Sequence, residues 1–217
     1  PIFGIVELHR VDARPHKINL AAGVYMDELG VTPILPSVRA VEERLLASTT
    51  SKLYMPISGD PAYLAAAKSL LFRTVDGAWG EIEPAAADRV QMIHTPGGTG
   101  AVRLAVDLVS RLRPGAEIWV GEPTWPNHTQ IIESSRITAR RHDWITDDAR
   151  SLNTGALFDA IAAAKGGDAM ILHGACHNPT GIDPTPEQWG EIAQQIAHRG
   201  ILPILDFAYQ GFGEGLV

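Results

Sequence analysis

The chain has 217 residues, of which 45% are apolar and 20% charged, and its net charge is −7 at pH 7. This composition is typical of a globular protein and argues against a disordered chain or a coiled coil. The acidic balance disfavours nucleic acid as a partner, and no apolar run is long enough to cross a membrane. One cysteine cannot form an internal disulfide, and no secretory signal is recognisable at the N-terminus. We therefore expect a cytoplasmic protein.

The hydrophobic pattern predicts helices at residues 36–47 and 61–72, followed by a repeated unit of apolar run, polar loop and helix. The apolar runs are residues 89–94, 117–120, 169–173 and 201–207, and the more polar segment "ITARRHDW" is a further candidate strand. Helices are predicted at "AVRLAVDLVSRL" and "PEQWGEIAQQIAHRG". The second has a capping box of Thr185 and Gln188 and a stop at Gly200. Runs that alternate with helices indicate βαβ units and a mostly parallel sheet.

Each apolar run is followed by a polar cluster. The clusters are "TPGGTG", "GEPTWPNH", "HGACHNPTG" and the segment that begins at Asp206 and continues "FAYQGF". Ligands of open parallel sheets bind beyond the carboxyl ends of the strands. The four clusters together therefore indicate a ligand site at that edge of the sheet.

Each cluster taken alone has a structural alternative. Gly98 and Thr99, at a helix start, offer free N–H groups and a hydroxyl to a phosphate, although glycines there can serve only a turn. Trp125 could stack on a flat ring or anchor a core. Asp206 at the end of an apolar strand could hold a ligand cation, or could instead cap a helix or form a salt bridge. Tyr209 could donate a hydrogen bond into the same site.

The loop after residue 173 also raises the question of a metal. The spacing of His173, Cys176 and His177 is compact, but no carboxylate follows at helical spacing. Zinc sites usually have a cleaner ligand set, so we expect no metal site. Asn178, before a proline, is typical of a turn. One ligand accounts for all four clusters, since pyridoxal phosphate (PLP) has a phosphate, a flat ring, a ring cation and a polar substituent.

Longer motifs point to the same ligand. The segments "TPGGTGAVRLA", "PTWPNH", "CHNPTGIDPTPEQW" and "DFAYQGF" resemble those of the aspartate and aromatic aminotransferases, which are class I, fold-type I PLP enzymes. "KINLAAGVYMDELGVTPILPSV" is similar to the N-terminal part of that family. The resemblance implies a truncated α/β three-layer sandwich with a mostly parallel sheet. Residues 1–32 would belong to a small domain, and residues 33–217 would form part of the large PLP-binding domain.

The resemblance also implies a role for each candidate residue. Residues that would hold PLP are Gly98 and Thr99 at its phosphate, Trp125 on the ring, Asn178 and Tyr209 at the ring hydroxyl, and Asp206 at the ring nitrogen. His128 would support Asp206, and His173 and His177 would lie behind the residues that contact PLP and support them. Tyr54 would reach the phosphate in a partner subunit's site, and the residues nearest the substrate would be Gly23, Trp125 and Asn178.

By the same resemblance, the parent protein would be a homodimer that transfers an amino group from aspartate or an aromatic amino acid to 2-oxoglutarate. The lysine that binds PLP covalently in this family follows "DFAYQGF", and none of Lys17, Lys52, Lys68 and Lys165 lies in that context. We therefore expect a piece of a longer protein, inactive on its own, whose catalytic lysine is not among these residues. Two alternatives remain open, a non-catalytic ligand- or partner-binding relative and a nucleotide-binding α/β domain.

Overall fold

The computed structural model describes residues 2–17, 26–72, 88–213 and 215. The chain divides into two compact units, Pro1–Tyr54 and Met55–Val217. The first unit contains helices α1 (Ile2–Val11) and α2 (Pro36–Ser48), so the helix predicted at residues 36–47 is present. None of the residues of α2 is buried. The predicted domain boundary after residue 32 stays a prediction.

The second unit alternates strands and helices, as the sequence predicted. Its elements are α3 (Pro61–Phe72), α4 (Gly97–Leu112), β1 (Ile118–Glu122), α5 (Pro126–Ser134), β2 (Ala139–Asp143), α6 (Thr154–Ala163), β3 (Ala169–His173), α7 (Pro186–Arg199) and β4 (Leu202–Asp206). The four strands form one parallel sheet in the order β2–β1–β3–β4. All four carboxyl ends therefore lie at the same edge of the sheet.

Helices cover both faces of the sheet. Side chains alternate between the two faces along each strand, so one strand packs against helices on both sides. On one face, Met170 and Leu172 of β3 pack in a buried cluster with residues of α6 and α7. On the other face, Ala169 and Ile171 pack with residues of α4 and α5. Every residue of β3 is buried, as expected of a central parallel strand. The predicted three-layer sandwich is confirmed.

Local signals in the sequence set the ends of α7. The Thr185 side chain accepts a hydrogen bond from the backbone of Gln188, and the Gln188 side chain accepts one from the backbone of Thr185. Gly200 ends the helix in the left-handed region at φ 66°. The predicted capping box and stop are both present. They fix where the chain enters β4, the strand that ends in Asp206.

One strand prediction is wrong, and one weaker strand candidate is confirmed. Residues 90–94 form no strand among the described residues, and the backbone N–H of His94 instead donates to the carbonyl of Ser58 at 2.7 Å. An apolar run becomes a strand only where a second strand pairs with it. The polar segment "ITARRHDW", a further strand candidate in the sequence, does contain a strand, β2. It is an edge strand, paired only with β1, and most of its residues face solvent.

None of the helices in the described ranges combines the length and the apolar character that crossing a lipid bilayer requires.

Candidate functional site

A cavity of about 240 Å³ lies at the carboxyl ends of the strands and opens to solvent. Its lining comes from four separate segments of the chain, and consists of Gly98, Thr99, Trp125, His173, Asn178, Asp206, Ala208 and Tyr209. All eight residues belong to the four polar clusters of the sequence. The parallel sheet therefore brings together side chains that lie up to about a hundred positions apart, as strand ends in an α/β fold do.

One side of the cavity is the N-terminus of α4. Pro96 occupies the N-cap position and no side chain caps the helix. Gly97 has φ +71°, a conformation that suits glycine. A Cβ atom added at Gly98 would meet no atom within 4 Å, so the space beside the first turn is open. The N–H of Gly97 already donates to the carbonyl of Thr95 at 2.9 Å. The N–H groups of Gly98 and Thr99 and the hydroxyl of Thr99 can therefore bind an anion.

Another side of the cavity holds the carboxylate of Asp206, whose side chain is 14% exposed. One of its oxygens, Oδ2, lies 2.9 Å from Nε2 of the fully buried His128. The other, Oδ1, accepts a hydrogen bond from the backbone N–H of Ala208 at 3.1 Å. The hydrogen bond with His128 lowers the pKa of Asp206 below its usual value, despite burial. The carboxyl group is therefore ionised at neutral pH and presents a negative charge to the cavity.

His128 is oriented by a second contact on its far side. The hydroxyl of Thr124 lies 2.9 Å from Nδ1 of the ring. Because an ionised carboxylate can only accept, Nε2 of His128 donates to Asp206. In the neutral imidazole Nδ1 then carries the lone pair, so the Thr124 hydroxyl donates to it. The three side chains form a hydrogen-bonded chain that ends at the cavity.

A column of five rings runs from the cavity into the core, and we call Trp125, His128, His173, His177 and Trp144 the ring column. Neighbouring ring centroids lie 5.3, 5.0, 4.2 and 4.5 Å apart in that order. The last pair is stacked with an interplanar angle of 10°. The column fixes the orientation of Trp125 and supports the histidine that contacts Asp206.

The two inner histidines of the column are uncharged at neutral pH. Burial, reinforced by the neighbouring His128, lowers the pKa of His173 to about 4. Burial, reinforced by His173, lowers the pKa of His177 to about 3. Nδ1 of His177 lies 2.8 Å from the hydroxyl of Thr180. No positive charge therefore lies directly behind His128 to compete for the Asp206 carboxylate.

The loop that carries Asn178 is held by a carboxylate beneath it. Asp183 accepts backbone hydrogen bonds from Cys176 at 2.6 Å and from His177 at 2.8 Å. Cys176 itself has a left-handed backbone, with φ 51°. At the start of this loop a Cβ atom on Gly174 would lie 2.4 Å from the ring of Phe207. The loop and the end of β4 thus pack closely, which places Asn178 and Asp206 at one cavity.

The candidate residues from the sequence fall into three groups. Gly98, Thr99, Trp125, Asn178, Asp206, Tyr209 and His173 line the cavity, and His128 and His177 lie behind it. Tyr54 belongs to the first unit, where its side chain is fully exposed. Gly23 lies outside the described residues. The ligand roles assigned to all these residues remain predictions.

Three residues of the site were missed in the sequence. Thr124 stands four positions before His128 in "PTWPNH", which is a spacing that allows side-chain contact across one helical turn. Ala208 carries no chemical signal, because only its backbone N–H is used. Trp144 directly follows β2 and is buried against residues of α6 and α7. Only the first of these could have been found from spacing.

Comparison with known proteins gives the site a context. The family described as aminotransferase class I and II matches residues 15–216 of the chain. The chain is 42% identical to the aspartate aminotransferase of Escherichia coli strain K12 and to the tyrosine aminotransferase of Rhizobium meliloti strain 1021. Each match covers 100% of this chain and 53% of the relative. The chain thus spans about half the length of the curated relatives it matches.

Solved structures give a similar result. The chain superimposes with a TM-score of 0.91 and 34% identity on the aromatic-amino-acid aminotransferase of Burkholderia pseudomallei, which is covalently bound to pyridoxal phosphate. That match covers 100% of this chain and 53% of the other. The cytoplasmic aspartate aminotransferase of Saccharomyces cerevisiae matches with a TM-score of 0.86 and 32% identity, over 97% of this chain and 50% of the other.

Proposed function

The chain belongs to the class I and II aminotransferase family, and from that premise we propose that it provides most of a PLP-binding site in a longer enzyme. That enzyme would transfer an amino group from aspartate or an aromatic amino acid to 2-oxoglutarate. The observation that carries the proposal is the cavity itself. An ionised Asp206 and the start of α4 at Gly98 and Thr99 face the same space.

The residues present suit the chemistry of PLP. The phosphate would bind the first N–H groups of α4 and the hydroxyl of Thr99, where the helix dipole favours negative charge. The Thr99 hydroxyl accepts a hydrogen bond from the Asn127 side chain at 3.3 Å, which leaves its own proton available to a phosphate oxygen. The protonated ring nitrogen would pair with Asp206. The start of α4 would therefore face the negative phosphate of PLP, and Asp206 would face its positive ring nitrogen.

When bound, PLP supplies an electron sink for the Cα atom of an amino acid. The role of Asp206 is to hold a proton on the ring nitrogen, and the His128 hydrogen bond keeps the carboxylate ionised for that purpose. Asn178 and Tyr209 would donate hydrogen bonds to the ring hydroxyl oxygen. The face of Trp125 would cover the ring and exclude water from it.

The remaining parts of the proposal concern the whole protein. A fully exposed Tyr54 suits a contact with a partner subunit, and a symmetric dimer would place it at the partner's phosphate site. The predicted cytoplasmic location is part of the same proposal. The names of the relatives support both aspartate and aromatic substrates, so we propose these two classes of donor without a preference between them.

Binding of PLP to residues 1–217 tests the core of the proposal. Titration calorimetry should detect PLP binding, weaker binding of pyridoxal, which lacks the phosphate, and no binding of ATP or NAD. The Asp206→Ala variant should bind PLP more weakly, whereas the surface control Glu191→Gln should bind it as the unchanged chain does. Binding of ATP or NAD in place of PLP would support the nucleotide-binding alternative and overturn the proposal.

A second assay addresses catalysis in the longer protein. With PLP, aspartate and 2-oxoglutarate, it should form glutamate, and the same mixture with tyrosine as donor should reveal any aromatic activity. A longer protein that binds PLP at Asp206 and forms no glutamate from either donor would support the non-catalytic alternative instead.

A further inference from the structure

The cavity carries a second possible ligand set. One nitrogen each from His128 and His173 and one carboxylate oxygen of Asp206 all lie within 4.8 Å of one another. Among the described residues, His128, His173 and Asp206 are the histidines and carboxylates that lie close enough together to hold a metal ion. We propose that, in the absence of PLP, His128, His173 and Asp206 bind a divalent transition-metal ion such as Zn²⁺. The proposal goes beyond the function proposed above and does not depend on it.

The ligand types and the geometry support this assignment. Two histidines and one carboxylate with an open fourth position form a recurrent zinc site. Bonds of about 2.0 to 2.2 Å place neighbouring ligands roughly 3.3 Å apart in a tetrahedral site. Nε2 of His128 and Oδ2 of Asp206 are already 2.9 Å apart. All the ligand atoms lie within 4.8 Å of one another, so His173 must approach by about 1.5 Å at most. His173 and Asp206 both line the cavity.

The buried imidazole of His173 has a ring nitrogen that is available to a metal ion. It is 4% exposed, and its Nε2 atom has no hydrogen-bond partner in the part of the chain that the structure describes. A buried polar atom without a partner is unusual in a folded protein. The unpartnered nitrogen of a neutral imidazole can bind a metal ion through its lone pair.

His128 has the outer contact that metal-binding histidines usually have. Its Nδ1 atom is held by the hydroxyl of Thr124 at 2.9 Å, which leaves Nε2 facing Asp206. A hydrogen bond on the remote ring nitrogen fixes the orientation of a metal-binding imidazole. The metal would take the place of the proton between His128 and Asp206.

This ligand set differs from the one that the sequence suggested. The loop spacing drew attention to His173, Cys176 and His177, whereas the cluster takes its ligands from α5, β3 and β4. Residues so far apart in the chain show no spacing pattern. Because Asp206 also faces the cavity proposed for PLP, metal and PLP should exclude each other.

Cobalt provides a direct test, because Co²⁺ in a four- or five-coordinate protein site has a characteristic visible absorption. PLP-free residues 1–217 with Cys176→Ser, which removes the thiol, should bind one Co²⁺ per chain, and Zn²⁺ should displace it. His173→Asn and Asp206→Asn, each added to this background, should weaken Co²⁺ binding by about tenfold or more. His142→Asn is the matched control, since His142 is also buried with an unpartnered ring nitrogen but lies outside the cluster. It should bind Co²⁺ as the background does.

Each outcome decides the proposal. Equal Co²⁺ binding by His173→Asn, Asp206→Asn and the control would place the ion on surface groups and overturn it, as would the absence of the visible absorption. Loss confined to the two cluster variants supports it. If PLP also binds, added PLP should abolish the Co²⁺ absorption, and simultaneous binding of both at full occupancy would contradict the shared site. Failure of PLP to bind would count against the proposed function alone.

Discussion

Two aspartates flank the strands of this sheet at opposite edges, and they are used in different ways. Asp168 precedes β3 and is 3% exposed. Its carboxylate accepts hydrogen bonds from the backbone N–H groups of Glu117 at 3.0 Å and Lys165 at 2.9 Å, and from Nε1 of Trp119 at 3.3 Å. Asp206 ends β4, accepts one hydrogen bond from a side chain and one from the backbone, and faces the cavity.

The pKa of each carboxyl group is lowered, but by different partners. Burial alone would raise the pKa of Asp168. The hydrogen bonds from the backbone of Glu117 and Lys165 and from Trp119, together with the charge of Lys165, more than offset it. For Asp206 the main cause is the hydrogen bond with His128. One carboxylate is therefore satisfied by the fold itself, whereas the other depends on a titratable side chain and retains a side that faces open space. A strand-end carboxylate indicates a ligand site only in the second case.

Replacement of Asp168 should produce the largest loss of stability. Asp168→Ala leaves two backbone N–H groups and the indole N–H of Trp119 without their acceptor. Each unsatisfied buried donor costs ~1 to 3 kcal/mol, so we expect a loss of roughly 3 kcal/mol or more in the free energy of unfolding. Urea unfolding followed by circular dichroism measures it. A loss below ~1 kcal/mol would show that water replaces the carboxylate, and that the two aspartates are less different than they look.

As the pH falls, the buried histidines should lower the free energy of unfolding before Asp168 is protonated. The buried histidines bind protons in the unfolded chain near pH 6.5 but in the folded chain only near pH 4 for His173 and pH 3 for His177. Unfolded chains therefore bind more protons between these values, and stability falls as the pH decreases through that window. We expect a slope of ~1 kcal/mol per pH unit for each histidine. Below the ordinary pKa of Asp206, loss of its stabilising charge adds to the decrease.

Unfolding in urea between pH 7 and pH 4 measures this slope. His177→Asn should flatten it, because one of the three buried histidines with a lowered pKa, which are His142, His173 and His177, no longer titrates. Ile192→Val is the control, since Ile192 is buried in the same cluster as Trp144 and the change lowers stability without removing a titrating group. A slope that is equal in all three proteins would mean that the ring column does not control acid unfolding.

The two aspartates also show how far the sequence alone could be interpreted. Both stand beside apolar runs, so the hydrophobic pattern of each segment alone does not separate Asp168 from Asp206. The order of motifs along the chain indicated the second, because each run was followed by a polar cluster. The strands of the sheet and the capping box of α7 followed from periodicity and from Thr185 and Gln188. These are local signals, and the structure agrees with them.

What the sequence did not predict depends on contacts between distant segments. Residues 90–94 are apolar, yet strand formation requires a partner, and the pattern of one segment cannot supply it. β2 is polar because it is an edge strand, which is a property of the sheet order. The ring column joins Trp125 to Trp144 through three histidines from different elements. Its contacts are set by packing, so that neither the low pKa values nor the role of Trp144 could be inferred from spacing.

Replacement of Asp206 should lower PLP affinity more than stability, whereas replacement of Asp168 should mainly lower stability. Asp206→Ala removes the charge in the cavity, while the donors it leaves, on His128 and Ala208, lie beside open space that water can enter. We expect PLP affinity to fall about ten- to a hundredfold, which corresponds to ~1.4 to 2.8 kcal/mol, with a smaller change in stability. Calorimetric titration with PLP and urea unfolding on the same sample separate the two effects. Full PLP affinity in this variant would remove Asp206 from the proposed site.

The smallest effect is expected from Thr124, which tests whether the Asp206 carboxylate depends on the far side of His128. Thr124→Val keeps the shape of the side chain but removes the hydroxyl at Nδ1, so that a buried ring nitrogen loses its partner at a cost of ~1 kcal/mol. The ring can then adopt the tautomer in which Nε2 no longer donates to Asp206. PLP affinity should decrease a few-fold, and Thr124→Ser, which retains the hydroxyl, should restore most of it. Equal PLP affinities of the valine and serine variants would show that Asp206 holds its charge without help from the hydrogen-bonded chain behind it.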